Sequence, residues 1–353
     1  MVQIHPRIER LQPYAAGTRP DPGIAAIKLN QNESPYPVSP KVEQAIRSSG
    51  AELLREYPDS GCGRLRAALS ELHGVPAGAI LCGNGSSELI TLLYKSFLCE
   101  NDTVAVPDPT FGLYATAAAL VGVKIVSVPT DDDFRLEPGK LAEPSPQAII
   151  IANPNAPTGL YVEAEQIERL LNDFRGLVVV DEAYIDFVPE GTSVIGLTKR
   201  YSNLIVLRTF SKAYGLSGAR IGYAVADERL IAAMAKGRET FSVNAVAQLA
   251  AEAALTDPAY TSLTVERINR THEAFRAALT DTGWRAWPSF TNFLLATPPS
   301  DGPTAQEIYQ RLLDRHIYVR YFDAPRLSDK LRISIGTDTE MKTLLEALSD
   351  AGA

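Results

Sequence analysis

VVVDEAYIDF, residues 178–187, and IVLRTFSKAYGLSGARIGY, residues 205–223, are apolar runs whose polar side chains gather at the C-terminal end. Strands buried on both faces of a parallel sheet look like this, and ligands collect beyond the carboxyl ends of such strands. Outward from these two runs, helix and strand patterns alternate. Towards the N-terminus, RLRAALSELHG is helical, AILC a strand, SSELITLLYKSFL helical, TVAV a strand and FGLYATAAALVG helical. KIVSV and QAIIIA are strands, followed by a helix over about 164–174 and then the strands LVVVDEA, NLIVLRTF and RIGYAVA. Repeated βα units predict an α/β fold with a mostly parallel sheet flanked by helices. After Ala226 the texture turns helical, and the shorter strand-like pieces TNFLLAT, HIYVRYF and KLRISIG follow. That pattern predicts a smaller α+β domain. The expected division is an N-terminal arm over 1–32 that belongs to the small domain, a large domain over 33–238, and a C-terminal small domain over 239–353.

The strand ends carry a specific set of groups. Lys212 is an amine that, desolvated, loses its proton readily and attacks an aldehyde. Asp181 supplies a carboxylate that keeps a pyridine nitrogen protonated, and Arg220 a guanidinium that grips a phosphate in bidentate fashion. Alone, a Ser-Lys pair is ordinarily a solvated surface feature, and an Asp after a strand ordinarily a helix cap. In combination they answer the needs of pyridoxal phosphate. LCGNGSSELI, residues 81–90, is a strand, a Gly-rich turn and a helix start, which presents free N–H groups and a positive dipole end to an anion. It lacks the GxGxxG spacing of a dinucleotide site, which disfavours a Rossmann dehydrogenase.

These segments resemble the cofactor motifs of fold-type-I, aspartate-aminotransferase-like pyridoxal phosphate enzymes, and specifically the histidinol-phosphate aminotransferase family. The resemblance runs from LQPY at 11–14 to LRISIGT at 331–337. It implies that Lys212, Asp181 and Tyr184 are catalytic, Lys212 holding the cofactor and then moving the proton, Asp181 pairing with the ring nitrogen, and Tyr184 bonding the ring hydroxyl oxygen. It further implies that Gly85, Ser86, Ser87, Thr209, Ser211 and Arg220 surround the cofactor phosphate and that Phe111 stacks on the ring. Tyr57, in LREYPDSGCGRLR, is implied to cross a homodimer interface and reach the neighbouring subunit's phosphate. Arg332 resembles the arginine that binds an α-carboxylate, and Arg320 with Tyr14 the pair that holds the phosphate of histidinol phosphate. Relatives carry Asn directly before PTG as a second donor to the ring oxygen, whereas NPNAPTG places Ala156 there and leaves Asn155 as the candidate replacement. The implied reaction exchanges an amino group between histidinol phosphate and 2-oxoglutarate, giving glutamate, in histidine biosynthesis. Aromatic aminotransferases and threonine-phosphate decarboxylase share the scaffold and are the alternatives. An idle ligand-sensing domain is a further one, but it ordinarily comes fused to a DNA-binding module.

Composition narrows the remaining classes. At 353 residues the chain exceeds the usual single-core size. A net charge of −8 argues against nucleic acid or an anionic membrane as partner. Apolar content is 45 %, no run approaches a membrane span, and MVQIHPRIER lacks a secretion-signal core, so a cytoplasmic location is expected. Cys62, Cys82 and Cys99 are too few and too oddly numbered for a disulfide framework, and no Cys/His spacing points to metal. Asp131-Asp132-Asp133 is expected to be a solvated loop.

Overall fold

A computed structural model describes residues 2–352. Thirteen strands are formed by the described residues: β1 (Ile27–Lys28), β2 (Ile80–Gly83), β3 (Thr103–Asp108), β4 (Lys124–Pro129), β5 (Ala148–Ala152), β6 (Leu177–Asp181), β7 (Leu204–Thr209), β8 (Gly222–Ala226), β9 (Arg285–Ala286), β10 (Phe293–Thr297), β11 (Ile317–Tyr318), β12 (Arg320–Tyr321) and β13 (Leu331–Ser334). Seven of them make one sheet in the order β2-β8-β7-β6-β5-β3-β4. All its pairings are parallel except those of β8, which runs antiparallel to both β7 and β2. The connection from β7 to β8 contains no crossover helix, and a strand that returns without one must run antiparallel.

Side chains alternate between two cores across this sheet, as the period of two demands. Val178, Val180, Ile149, Ile151 and Val206 enter one apolar cluster, and Val179, Ile150, Ile205 and Leu207 the other. The continuous apolar runs of β5, β6 and β7 therefore reflect helices on both faces, leaving only the strand ends free for chemistry.

A second, four-stranded antiparallel sheet has the order β12-β13-β10-β9 and packs on a separate core with Ile268, Phe275, Leu312 and Leu344. HIYVRYF does not form one strand. Its first half, β11, pairs in parallel with β1 of the arm, and its second half, β12, pairs with β13. One strand segment thus ties the N-terminal arm to the four-stranded sheet. The final helix, Asp338–Gly352, buries Met341, Leu344, Ala347 and Leu348 at helical spacing, and its start is marked by TDTE at 337–340, where Thr337 and Glu340 exchange capping bonds. Asp131 and Asp133 sit in a turn, Asp131 accepting from the N–H groups of Asp133 and Arg135, and Asp133 pairing with Arg285.

Candidate active site

A cavity of about 560 Å³ opens beyond the C-terminal ends of β6 and β7, between the seven-stranded sheet, the arm and the β12–β13 hairpin. Lys212 lies three residues after the end of β7, half-buried. Its Nζ is 3.1 Å from the carbonyl oxygen of Asn32 and 3.2 Å from that of Gln31. Burial, aided by the positive charge of Arg332, lowers its pKa to about 7. Two carbonyls bind an ammonium without neutralising it, so this amine is close to its free, nucleophilic form at neutral pH.

Asp181 ends β6 and is 4 % exposed. It accepts from the Tyr114 hydroxyl at 2.9 Å and from the Ala183 N–H at 3.2 Å. Burial pushes its pKa up to about 6, against the stabilising pull of those two bonds. No ion pair reaches it among the described residues, so the carboxylate is held ready for a cationic donor. Phe111 sits at the cavity wall, edge-on to both Tyr14 and Tyr114 with ring centroids 5.5 Å apart in each case. Tyr184 lies on the other side of the cavity, 8 % exposed, and its hydroxyl is 2.8 Å from Asn32 Nδ2.

One end of the cavity is built for an anion. The helix Gly85–Phe97 starts there, with Ser86 and Ser87 of its first turn lining the cavity, and its N-cap, Asn84, makes no side-chain capping bond. Thr209 and Ser211 are buried and 3.0 Å apart, and Arg220 Nη1 reaches Ser211 Oγ at 3.4 Å. Arg220 has φ +58°, a left-handed conformation that non-glycine residues adopt only where surroundings impose it. Its guanidinium stands where a side chain at residue 85 would be, which explains Gly85. Gly222 is required for a related reason: a Cβ there would lie 2.6 Å from the Ser86 nitrogen.

The other end holds a second cationic group. Arg320 and Arg332 are directly paired residues on β12 and β13. Like charges opposite one another across a ladder are unfavourable, unless an anion bridges them. Arg332 Nη2 donates to the Asn30 carbonyl at 2.9 Å, but its Nε is buried without a partner. Arg320 Nη2 donates to the Ala15 carbonyl at 2.6 Å, which draws the arm and Tyr14 over the opening. Both arginines oppose the upward shift that burial gives the Tyr14 phenol.

The structure therefore gathers Tyr14, Ser86, Ser87, Phe111, Asp181, Tyr184, Thr209, Ser211, Lys212, Arg220, Arg320 and Arg332 around one cavity, with Gly85 packed against Arg220. Asn155 does not line it. Its side chain is spent on Thr110 Oγ1 at 2.7 Å and on Pro109 O and Thr158 Oγ1, both at 2.9 Å, while Ala156 takes the wall. The expectation that Asn155 replaces the missing amide is corrected accordingly: both N–H groups of its amide are spent on Pro109 and Thr158, so it has none to donate to a cofactor. Tyr57 is 81 % exposed, stacked on Phe241 at 4.4 Å and outside the cavity of its own chain. The Asp59 carboxylate, which accepts from the N–H groups of Gly61 and Gly63, fixes the turn beside it.

Sequence reasoning missed Tyr114, Asn32 and Arg19, all at the cavity. Tyr114 was within reach, since it stands three residues after Phe111 in the first turn of the helix Leu113–Val121. The amide-rich NQN at 30–32 was a signal without a meaning until the arm was folded. The cavity as built suits a phosphorylated pyridine carbonyl compound: a hydroxyl-, amide- and arginine-lined anion end, an unpaired buried carboxylate, a low-pKa amine, and a further anion site beyond.

The family model for aminotransferase class I and II matches residues 24–348. A histidinol-phosphate aminotransferase of Geotalea daltonii is 39 % identical, with 100 % of both chains covered. Histidinol-phosphate aminotransferase 1 of Nostoc sp. is 36 % identical over 97 % of this chain and 96 % of that one. Among solved structures, histidinol-phosphate aminotransferase from Sinorhizobium meliloti, in complex with pyridoxal-5'-phosphate, superposes with a TM-score of 0.92 at 28 % identity, covering 99 % of this chain and 98 % of that one.

Proposed function

This chain belongs to the class I and II aminotransferases, and from that premise we propose that it is a pyridoxal-phosphate-dependent histidinol-phosphate aminotransferase, moving an amino group from histidinol phosphate to 2-oxoglutarate in histidine biosynthesis. The observation that carries the donor assignment is the paired Arg320 and Arg332 under the Tyr14 arm. An anion site of that breadth suits a donor with a phosphate and an acceptor with two carboxylates, used in turn. The curated relatives of matching length carry the same name.

Pyridoxal phosphate, when bound, supplies an aldehyde that captures the amino group and an electron-poor ring that stabilises the adjacent carbanion. The residues present fit it. Lys212 would be the amine that attaches it and, as a free amine, the base that moves a proton at the reacting carbon. Asp181 would hold the ring nitrogen protonated, and the positive charge of a pyridinium beside it would offset the burial that raises its pKa. Ser86, Ser87, Thr209, Ser211 and Arg220 would hold the phosphate, with Gly85 leaving room for the Arg220 guanidinium, while Phe111 would cover the ring and Tyr184 would serve its hydroxyl oxygen. Arg332 binds the α-carboxylate of glutamate, and Arg320 with Tyr14 binds the donor phosphate or the distal carboxylate. The protein acts as a cytoplasmic homodimer in which Tyr57, exposed in the single chain, serves the partner subunit's phosphate site. Its working division is the arm over 1–32 and the small domain over 239–353 against the large domain over 33–238. No helix among the described residues is long and apolar enough to cross a membrane.

The test is a panel of amino donors with 2-oxoglutarate: histidinol phosphate, phenylalanine, tyrosine and threonine phosphate. Histidinol phosphate should give the highest kcat/KM. A preference for phenylalanine or tyrosine replaces this reading with an aromatic aminotransferase, and release of carbon dioxide from threonine phosphate replaces it with a decarboxylase.

A further inference from the structure

Asn32 is the most connected polar residue at the cavity, and nothing in the reaction as described above uses it. It is 2 % exposed, lies in the left-handed region at φ +54°, and belongs to the arm, far in sequence from everything it touches. Its Nδ2 donates to the Tyr184 hydroxyl oxygen at 2.8 Å. Its Oδ1 accepts from Ser334 Oγ at 2.9 Å, and the Ser334 oxygen in turn accepts from the Asn32 N–H at 2.8 Å. Its carbonyl accepts from Lys212 Nζ at 3.1 Å and from Asn292 Nδ2 at 2.9 Å. One residue therefore touches both the amine and the phenol on which the proposed chemistry depends.

The polarity of these bonds has a consequence for the phenol proton. Ser334 gives its single proton to Oδ1, which leaves Nδ2 as the group facing Tyr184, and an amide nitrogen can only donate. A phenol that accepts on its oxygen keeps its own proton for another acceptor. Burial raises the Tyr184 pKa while the Asn32 bond opposes the rise, as donation to the oxygen requires. Ala156 contributes no amide to this part of the wall and Asn155 is spent elsewhere, so Tyr184 is the donor that remains there.

We propose that Asn32 is a positioning residue: its amide holds the Tyr184 phenol with the proton turned into the cavity, towards the cofactor's ring oxygen, while its carbonyl holds the Lys212 amine beside it. This rests on the cofactor assignment above. A phenol proton given to that ring oxygen stabilises its negative charge, so the lysine-linked nitrogen sheds its own proton at a lower pH. The pH midpoint of the visible absorbance band of the loaded protein therefore reports the Asn32–Tyr184 bond directly, independently of turnover.

Two variants separate the side chain from the backbone. Asn32→Gly removes the amide but accepts φ +54° and keeps the carbonyl, and Asn32→Asp keeps the shape but offers an acceptor that takes the phenol proton. The midpoint should rise by about one pH unit in Asn32→Gly, the scale of one hydrogen bond to a charged group. It should rise further in Asn32→Asp, with kcat lowered about tenfold or more and the KM for the donor changed much less. The other charges acting on Lys212, namely Arg332, Glu33, Arg220 and Asp181, are untouched by either change. On a Tyr184→Phe background, Asn32→Gly should move the midpoint no further. An equal shift with and without the phenol, or no shift in a folded Asn32→Gly protein, overturns the proposal; should Asn32→Gly not fold, a wild-type midpoint in Asn32→Asp does so. Loss of the cofactor assignment itself is distinguishable, because borohydride reduction would then leave wild-type Lys212 unlabelled.

Discussion

The two ends of the cavity are built in different ways. Asp181, Tyr184, Thr209, Ser211, Lys212 and Arg220 all fall within forty residues, the first five on or just after two central strands whose backbones are locked by neighbours on both sides and Arg220 just before the next strand, β8. The outer end joins Tyr14 to Arg320 and Arg332 through a two-residue parallel pairing and a carbonyl contact more than three hundred residues apart in sequence. The inner end is rigid because it is continuous with the largest core. The outer end is assembled from an exposed arm and strands of two to four residues, the kind of element from which ligand-binding segments of low local stability are drawn. On the proposed function, the contrast separates bond-making chemistry from donor choice.

The sharpest way to break that division is at Lys212. Lys212→Ala should abolish the covalent cofactor and lower turnover by at least about 10⁴-fold, the upper range for a positioned acid–base group alone. Borohydride reduction and peptide mapping check it, and a label on another lysine refutes the assignment. Asp181→Asn comes next. With the carboxylate gone the ring nitrogen loses its proton, and kcat should fall about 10²- to 10³-fold with every donor alike, as when one preorganised electrostatic partner is removed.

The outer end should behave selectively. Arg320→Ala should lower kcat/KM for histidinol phosphate about ten- to a hundredfold, since a hydrogen bond to a charged group is worth about 1.5 to 3 kcal/mol. An uncharged aromatic donor should lose little. Arg332→Ala should instead weaken glutamate, whose α-carboxylate histidinol phosphate lacks. Equal losses for all donors in both variants would erase the distinction between the two ends.

The smallest effect is on stability without cofactor. A lysine whose folded pKa is lowered to about 7 penalises the fold fully below pH 7, and the penalty is relieved as pH rises towards the unfolded value near 10.5. Asp181 acts in the opposite sense, its raised pKa contributing stability at low pH that is lost as pH rises through about 6. Melting curves of the cofactor-stripped protein should show Lys212→Met gaining Tm below pH 7 and losing that gain towards pH 10. A gain independent of pH would mean packing rather than charge.

Much of the inner end was legible because strand, turn and functional residue are contiguous there: a strand buried on both faces announces itself by its apolar run, and its end carries the polar group. Tyr114 escaped notice although it follows Phe111 by three residues, in the first turn of the helix that Phe111 precedes. Asn155 misled, because its neighbour relation to Ala156 says nothing about which carbonyls the loop needs bonded. The sense of β8, the splitting of HIYVRYF between β1 and β13, and the hub at Asn32 were not readable at all.

By itself the sequence determined the α/β class, the run of strands that makes the large sheet, and the carboxylate, amine and guanidinium at its edge, since these follow from local periodicity and from residue chemistry. Only the tertiary structure decided which distant segments meet. Arg320 stands opposite Arg332, the arm closes over them, and the Asn32 amide reaches the Tyr184 phenol because two strand pairings and the hydrogen bonds of Asn32 bring residues 14–32 and 292–334 onto the strand ends, and long-range contacts of that kind leave no periodic trace in the chain.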